Sequence, residues 1–489
     1  VHDPIVPTYS IAVQLSLKRA EDLNSYSQEQ LDSTNDWLVI TGMEMESHLN
    51  SKAGPDNTQR APILEGAYIW EFTDPTRSVD SLRESLVSGE IESFSPLVVK
   101  QQYPRFVPDD PEFPAQWHLS NTGQTNGVSG EDSNITGAWD NYNGSGVVIS
   151  VVDDGLDKDH PDISPRYSSL LSYDWCNDDT DPTPSSFNGH GTSAGGVAAA
   201  AGDNNLYVTG AAYGATIAGS TLIACWAGDQ TESEALSYEN DDIDIYTNSW
   251  GPSDDGQTLE GPGPLTTAAF EEDAYGGREE LGNILTWAAG NGLGSNDNAN
   301  YDGYANSRYT IAVTAIDHDG DQSYYAEPGA NILIAAHSNG DGEGITTTDI
   351  TGSGGYNNSG NVTHDFGGTS SATPLAAGVI ALVLEANENL TWRDVQHILV
   401  NSARKNDASD SSWETNGAGH EVSHKYGFGA IDAGAAVNLA EGWSLVDEEV
   451  NLTFNPAISS TAIPDSNSTW TEFDLDVQSD IQIESVDVI

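Results

Sequence analysis

Hydrophobic and polar positions follow three different patterns along the chain. Near the N-terminus, Tyr9-Ser-Ile-Ala-Val-Gln-Leu15 and Gly66-Ala-Tyr-Ile-Trp-Glu-Phe72 alternate, which predicts half-buried strands. Across residues 78–88, Val79, Leu82 and Leu86 recur at helical spacing. Residues 1–105 therefore read as a small α+β domain. Pro104, Pro108, Pro111 and Pro114 then mark an extended linker.

Residues 106–441 change character. Val147-Val-Ile-Ser-Val-Val152, Ile284-Leu-Thr-Trp-Ala288 and Thr310-Ile-Ala-Val-Thr314 are short apolar runs without alternation, as in parallel strands covered on both faces. Residues 373–385 are apolar nearly all round, which predicts a buried helix. The fold class expected is α/β, a doubly wound parallel sheet with its site at the carboxyl ends of the strands. From residue 442 strict alternation returns, in Glu472-Phe-Asp-Leu-Asp-Val477 and Ile481-Gln-Ile-Glu-Ser-Val-Asp-Val488. Residues 442–489 read as the start of a β-sandwich, too short to close one.

Composition narrows the partners. The 489 residues carry 76 acidic against 16 basic side chains, a formal charge of -60. Such a surface repels nucleic acid and anionic membranes and attracts cations and basic peptides; a salty habitat would favour it as well. Half of the basic residues fall before residue 106. No apolar run reaches the ~20 residues needed to span a bilayer. Cys176 and Cys225 make neither a disulfide framework nor a zinc spacing, and allow one bridge or two thiols. Position 1 is valine and no leader is visible, so the natural N-terminus is expected upstream.

Four motifs carry chemistry. Asp153 ends the first apolar run, where a strand's carboxyl end would point it into the crevice. His190 lies in Asn188-Gly-His-Gly-Thr192, before a run of small residues that lets a helix pack close. Ser370 lies in Gly367-Gly-Thr-Ser-Ser-Ala-Thr-Pro374, directly before the buried helix, whose N-terminal amides favour a developing oxyanion. Asn291, in Ala288-Ala-Gly-Asn-Gly292, follows another core strand and offers a side-chain amide to the same oxyanion. Taken singly, these are also a turn, a surface histidine and a helix cap. Together, in the order Asp, His, Ser, they match the subtilisin arrangement of a serine nucleophile, its base and the base's orienting acid.

Beyond these motifs, residues 110–441 closely resemble the kexin/furin group of proprotein convertases. The resemblance rests on Asp110-Pro-Glu-Phe-Pro-Ala-Gln-Trp117, Asp153-Asp-Gly155, Asn248-Ser-Trp-Gly-Pro-Ser-Asp-Asp-Gly256 and Asp302-Gly-Tyr304. It extends through Leu390-Thr-Trp-Arg-Asp-Val-Gln-His397 and Tyr426-Gly-Phe-Gly429. It implies a secreted, calcium-dependent serine endopeptidase. Residues 1–105 would be an inhibitory prodomain, 106–441 the catalytic domain and 442–489 part of a P domain. Substrates would be polypeptides with basic cleavage sites, and the chain's own prodomain would act as an intramolecular inhibitor.

The resemblance also implies subsites and ions, residue by residue. Asp254 and Asp302 would hold an arginine side chain at P1, through charge-assisted hydrogen bonds that an apolar side chain would leave unmade. Asp154 and Asn188 would belong to S2, where a second family acid is replaced by Phe187. Glu234, Glu260 and Tyr304 would form S4. One calcium site would use Asp110, Asp162 and Asn204 with the carbonyls of Ala201, Leu206 and Val208. A second would use Asp254, Asp297 and Glu327, and a third Asp174, Asp179 and Asp181. The junction departs from the family: in Gln101-Gln-Tyr-Pro-Arg105 the residue before Arg105 is proline. Self-cleavage there, maturation by another protease and a retained prodomain all remain open. A broad-specificity secreted subtilase is the alternative reading.

Overall fold

The computed structural model describes residues 36–40, 55–60, 67–74, 78–88, 90–97, 106–450 and 484. The chain divides into two compact units, Val1–Pro104 and Arg105–Ile489. In the first, β1 (Asp36–Ile40), β2 (Asn57–Arg60), β3 (Ala67–Glu71) and β4 (Ser93–Pro96) form an antiparallel sheet in the order β2-β3-β1-β4. Trp37 pairs with Trp70, and Val39 with Phe94, so the alternation in each strand puts large side chains on one face. Helix α1 (Ser78–Ser88) covers that face with Leu82, closing a core with Phe72 and Ile91. The expected strand at 66–72 and helix at 78–88 are both found. The expected strand at residues 9–15 lies outside the described residues.

The second unit is built on a seven-stranded parallel sheet. Its strands are β5 (Val148–Asp153), β6 (Tyr173–Asp174), β7 (Thr216–Thr221), β8 (Ile245–Asn248), β9 (Ile284–Ala288), β10 (Thr310–Ile316) and β11 (Ile332–His337). The order is β11-β10-β9-β8-β5-β7-β6. The chain leaves β5 toward β7 and β6 on one side, then returns to place β8 on the other. That reversal beside β5 opens a crevice at its carboxyl end, where Asp153 is the last residue.

Both faces of the sheet are covered, which explains the unalternating apolar runs. Ile149, Val151, Ile217, Ile284 and Val313 face a large core packed by α2 (His190–Ala199), α5 (Thr369–Ala386), α6 (Trp392–Ser402) and α7 (Ala433–Glu441). Val152, Tyr246, Leu285 and Trp287 face a second core with Phe270 of α4 (Pro264–Tyr275) and Leu236 of α3 (Asp229–Leu236). Among the described residues, α5 is the helix long and apolar enough to cross a bilayer, but its 18-residue window is 89% buried inside this unit. It is therefore a core helix.

Two short hairpins complete the unit, β12 (Ile345–Thr348) with β13 (Val362–Phe366) and β14 (Glu414–Thr415) with β15 (Glu421–Val422). Cys176 and Cys225 are disulfide-bonded across 49 residues, tying the loop after β6 to the loop after β7. After α7, Glu449 accepts from Arg308 and from the Tyr275 hydroxyl, both at 2.8 Å. Farther on, Glu484 accepts from the Arg393 guanidinium at 2.7 and 2.6 Å. The remaining residues assigned to a β-sandwich lie outside the described set.

Trp287 sits at the centre of the second core, stacked on Tyr304 at 5.1 Å and edge-on to Trp250 at 4.7 Å. Trp287→Ala is expected to cost about 3–5 kcal/mol of stability, read as a fall in the thermal unfolding midpoint. A midpoint within a degree of the wild type would contradict this packing.

Candidate active site

The site is assembled by three element ends that meet beside β5. Asp153 ends β5, His190 opens α2, and Ser370 is the second residue of α5. Helix α2 approaches closely because its first turn is glycine and small residues. A Cβ on Gly191 would lie 2.2 Å from the Gly155 carbonyl and 2.8 Å from the Asp153 Cβ. His190 Nδ1 lies 2.8 and 3.0 Å from the two oxygens of Asp153, which is 1% exposed. An Nδ1–H pointed at this carboxylate leaves Nε2 with its lone pair facing outward. Burial opposes charging the imidazole, but the charge and hydrogen bond of Asp153 outweigh it and hold the His190 pKa up, at about 9.

The nucleophile turn is set by Gly368, whose φ of 75° starts α5 from the left-handed region. Pro374 inside α5 lacks the amide that would take the Ser370 carbonyl, and that oxygen instead accepts the Ser249 hydroxyl at 3.0 Å. The Ser370 hydroxyl donates to the Ser249 carbonyl at 3.3 Å. Asn291 follows β9, and its Oδ1 accepts from the Thr369 amide and hydroxyl at 2.8 and 3.1 Å. Holding the oxygen this way fixes the amide orientation, with Nδ2 as the donor end, which also bonds toward Asp254. Ser249 and Thr369 thus orient the motif residues, although sequence reading passed over both. Thr369 was legible only as the neighbour of Ser370.

The acidic positions gather around the Asn291–Gly292 turn. Asp254 Oδ2 accepts from the Asn291 amide at 2.9 Å, Asp297 from Gly256 at 2.8 Å and Glu327 from Gly292 at 2.8 Å. Asp302 accepts from the Tyr304 and Ala305 amides. Burial, reinforced by the neighbouring carboxylates, raises Asp254, pushes Asp302 up to about 7 and Glu327 up to about 8. No lysine or arginine relieves them among the described residues, so the cluster favours an arriving cation.

The residues assigned to S4 are less closely joined. Glu260 bridges Asp302 through the backbone, and the Tyr304 hydroxyl donates to Glu232 at 2.8 Å. Glu234 is exposed and accepts from Gln230 instead. The turn of α3 brings Glu232 to Tyr304, which the linear sequence did not reveal. In S2, Asn188 donates to the Asp154 carbonyl at 3.4 Å, and the Asp154 carboxylate accepts from Gly191 at 2.8 Å and His190 at 3.3 Å.

In the first proposed ion set, Asp110, Asp162 and Asn204 share one hydrogen-bonded cluster, to which Leu206 and Val208 donate amides. Asp162 accepts from the Val208 amide at 2.9 Å and from Asn204 at 3.1 Å. Asn204 also donates to the Ala201 carbonyl at 2.9 Å and accepts from the Leu206 amide at 2.7 Å. Asp110 accepts from Asp203 at 2.7 Å. Burial raises both Asp110 and Asp162. The third set is looser. Asp174 and Asp179 pair through their backbones, whereas Asp181 turns to Lys158 at 3.0 Å.

Comparison with known proteins places this geometry. The Subtilase family profile matches residues 144–429. The chain belongs to the subtilase family and carries the Asp-His-Ser arrangement of a serine endopeptidase. Within that family its similarity is to the kexin/furin-like proprotein convertases. PC3-like endoprotease variant B of Hydra vulgaris is 42% identical over 455 residues, covering 89% of this chain and 63% of that protein. Furin of Homo sapiens is 41% identical over 346 residues, 69% of this chain and 42% of its own. Proprotein convertase subtilisin/kexin type 5 of Rattus norvegicus is 37% identical, covering 85% of this chain and 24% of its own. The chain thus spans only part of the length of these relatives. Among solved structures, the serine protease of Aeromonas sobria in complex with a chaperone superposes with a TM-score of 0.68 at 28% identity. That match covers 76% of this chain and 74% of that one.

The His190–Asp153 pair sets a pH dependence. His190 accepts a proton only when neutral, so kcat/KM for a peptide reporter rises with pH into the alkaline range. Asp153→Asn removes the charge that raises the imidazole, so the midpoint moves to lower pH while the rate falls by about 10,000-fold. The pair's contribution to stability is full below the ordinary histidine pKa of 6.5 and is lost as pH rises through about 9. A pH–rate midpoint unmoved by Asp153→Asn would contradict this assignment.

Proposed function

We propose that the chain is a secreted, calcium-dependent serine endopeptidase that cleaves polypeptides after arginine or lysine, with a basic preference at P4. The observation that carries the specificity is the cluster of Asp254, Asp297, Asp302 and Glu327, in which burial and the neighbouring carboxylates raise Asp254, Asp302 and Glu327. A guanidinium entering between Asp254 and Asp302 relieves that repulsion and gains charge-assisted hydrogen bonds. An apolar side chain would leave these carboxylates unpaired.

In the reaction, the Ser370 hydroxyl turns from the Ser249 carbonyl to His190 Nε2, which takes its proton as the oxygen attacks the scissile carbonyl. Asp153 holds the imidazole and stabilises its charged form. Asn291 Nδ2 and the Ser370 amide receive the oxyanion. His190 then protonates the leaving amine, and water releases the acyl-enzyme.

The calcium reading rests on the donor sets. Asp110, Asp162, Asn204 and nearby carbonyls would hold one ion, and Asp254, Asp297 and Glu327 another, with Asp174, Asp179 and Asp181 as a third set. Bound ions would neutralise these carboxylates and fix the loops that carry them. Residues 1–105 are read as an inhibitory prodomain and residues 442–489 as the start of a P domain, by similarity to the convertases. Extracellular or cell-envelope location follows the same similarity. A broad-specificity digestive subtilase is the second reading, favoured by the exposed Phe187 where the family carries an acid.

Two peptides, Arg-x-x-Arg and the same sequence with leucine at P1, test the specificity. Arginine is expected to win by roughly several-hundred-fold in kcat/KM, and equal rates would leave the broad-specificity reading. Strong chelation is expected to lower the melting temperature by several degrees and to abolish cleavage, both restored by calcium. A melting curve indifferent to chelator would remove the calcium assignment.

A further inference from the structure

Phe187 is the least accounted-for side chain near the site. The Asn188 amide donates to the Ser185 carbonyl at 3.0 Å, closing a turn with Ser186 and Phe187 at its tip. Ser186 accepts from the Gly355 amide at 3.1 Å, and Asn188 reaches Asp154, so the turn is pinned on two sides. The Phe187 ring is nevertheless 93% exposed, three residues before His190. Across Asp153, the loop leaving β7 begins with the Leu222 and Ile223 amides bonded to the Asp153 carbonyl, at 2.8 and 3.2 Å. That loop carries Trp226, fully exposed, beside Cys225 of the disulfide. An exposed aromatic ring at the tip of a pinned turn gains free energy when a ligand covers it.

The acid that remains there is occupied. The Asp154 carboxylate accepts the Gly191 and His190 amides. Burial and the Asp153 charge push Asp154 up to about 6, weakening it further as a cation partner. An extended substrate sends successive side chains to opposite faces. With P1 directed into the Asp254/Asp302 cluster, P2 points back toward His190, Asp154 and Phe187.

We propose that Phe187 makes the P2 subsite apolar, so that the enzyme selects Pro-Arg over dibasic sequences, its own Tyr103-Pro104-Arg105 being one such site. This rests on the basic P1 reading above. Proline suits the subsite for three reasons: its ring packs on an aromatic face, its fixed φ keeps a bound chain extended, and it disfavours a helical conformation at the residue before it. The division between the two compact units falls at Pro104/Arg105. Hydrolysis there adds water across the Arg105–Phe106 bond, giving an Arg105 carboxylate and a Phe106 amine.

The test compares Gln-Gln-Tyr-X-Arg reporters with X as proline or lysine, at about 1 M salt to screen the acidic surface. A parallel pair carries leucine in place of arginine. Proline is expected to exceed lysine by about tenfold in kcat/KM. Phe187→Asp, a change at an exposed position, should reverse the order, and Phe187→Tyr should keep it. Lysine equal to or better than proline in the wild type, or a ratio unmoved by Phe187→Asp, would overturn the proposal. A proline preference seen only in the leucine pair, with arginine peptides uncut, would keep the apolar subsite and sink the basic P1 reading. If neither pair is turned over, binding of Gln-Gln-Tyr-Pro-Arg against Gln-Gln-Tyr-Lys-Arg to Ser370→Ala decides: equal affinity, or tighter binding of the lysine peptide, overturns it.

Discussion

The hydrogen bond from His190 to the buried Asp153 carboxylate is the constraint around which the catalytic unit is arranged. A carboxylate 1% exposed is tolerable only where donors surround it. The position at the end of a central strand, beside the reversal of strand order, supplies that enclosure. Close approach of α2 follows from it. The first turn of the helix must fit against Gly155 and Asp153 with almost no side-chain volume, which the glycines around His190 allow. Much of the small-residue content of this region answers that packing demand.

The same crevice brings two opposite electrostatic problems within reach of Ser370. On one side the imidazole needs a negative partner, and Asp153 provides it in isolation from solvent. On the other, several carboxylates crowd together without a positive partner among the described residues. Their mutual repulsion is unfavourable in the protein alone and becomes favourable when cations arrive. The proposed selection of charged ligands rests on this asymmetry: a cation placed among the carboxylates would relieve their repulsion. The chain's large negative charge adds long-range attraction, but the local chemistry depends on these few neighbouring groups rather than on the total.

Much of the architecture was legible from patterning. The unalternating runs at residues 147–152, 284–288 and 310–314 became β5, β9 and β10 because strands buried on both faces need apolar residues at every position. The apolar run at 373–385 became the middle of α5. Alternation at 66–72 became β3, where only one face is covered. Less visible were β1, β2 and β4, short strands whose stability comes from pairing and from a shared tryptophan-rich face rather than from local sequence.

The sequence by itself determined which residues could do chemistry and in what order they occur: Asp153, His190, Asn291 and Ser370 each sit in a local context that suits one role. It could not decide which groups touch. That Thr369 orients Asn291, that Ser249 answers the carbonyl freed by Pro374, and that Glu232 rather than Glu234 meets Tyr304 depend on strands and helices far apart in the chain. The pairing of Cys176 with Cys225, and the turning of Asp181 toward Lys158, belong to the same class. Local pattern reflects what each segment must bury. Contact between segments is decided by sheet order and close packing, which emerge only when the whole chain is folded.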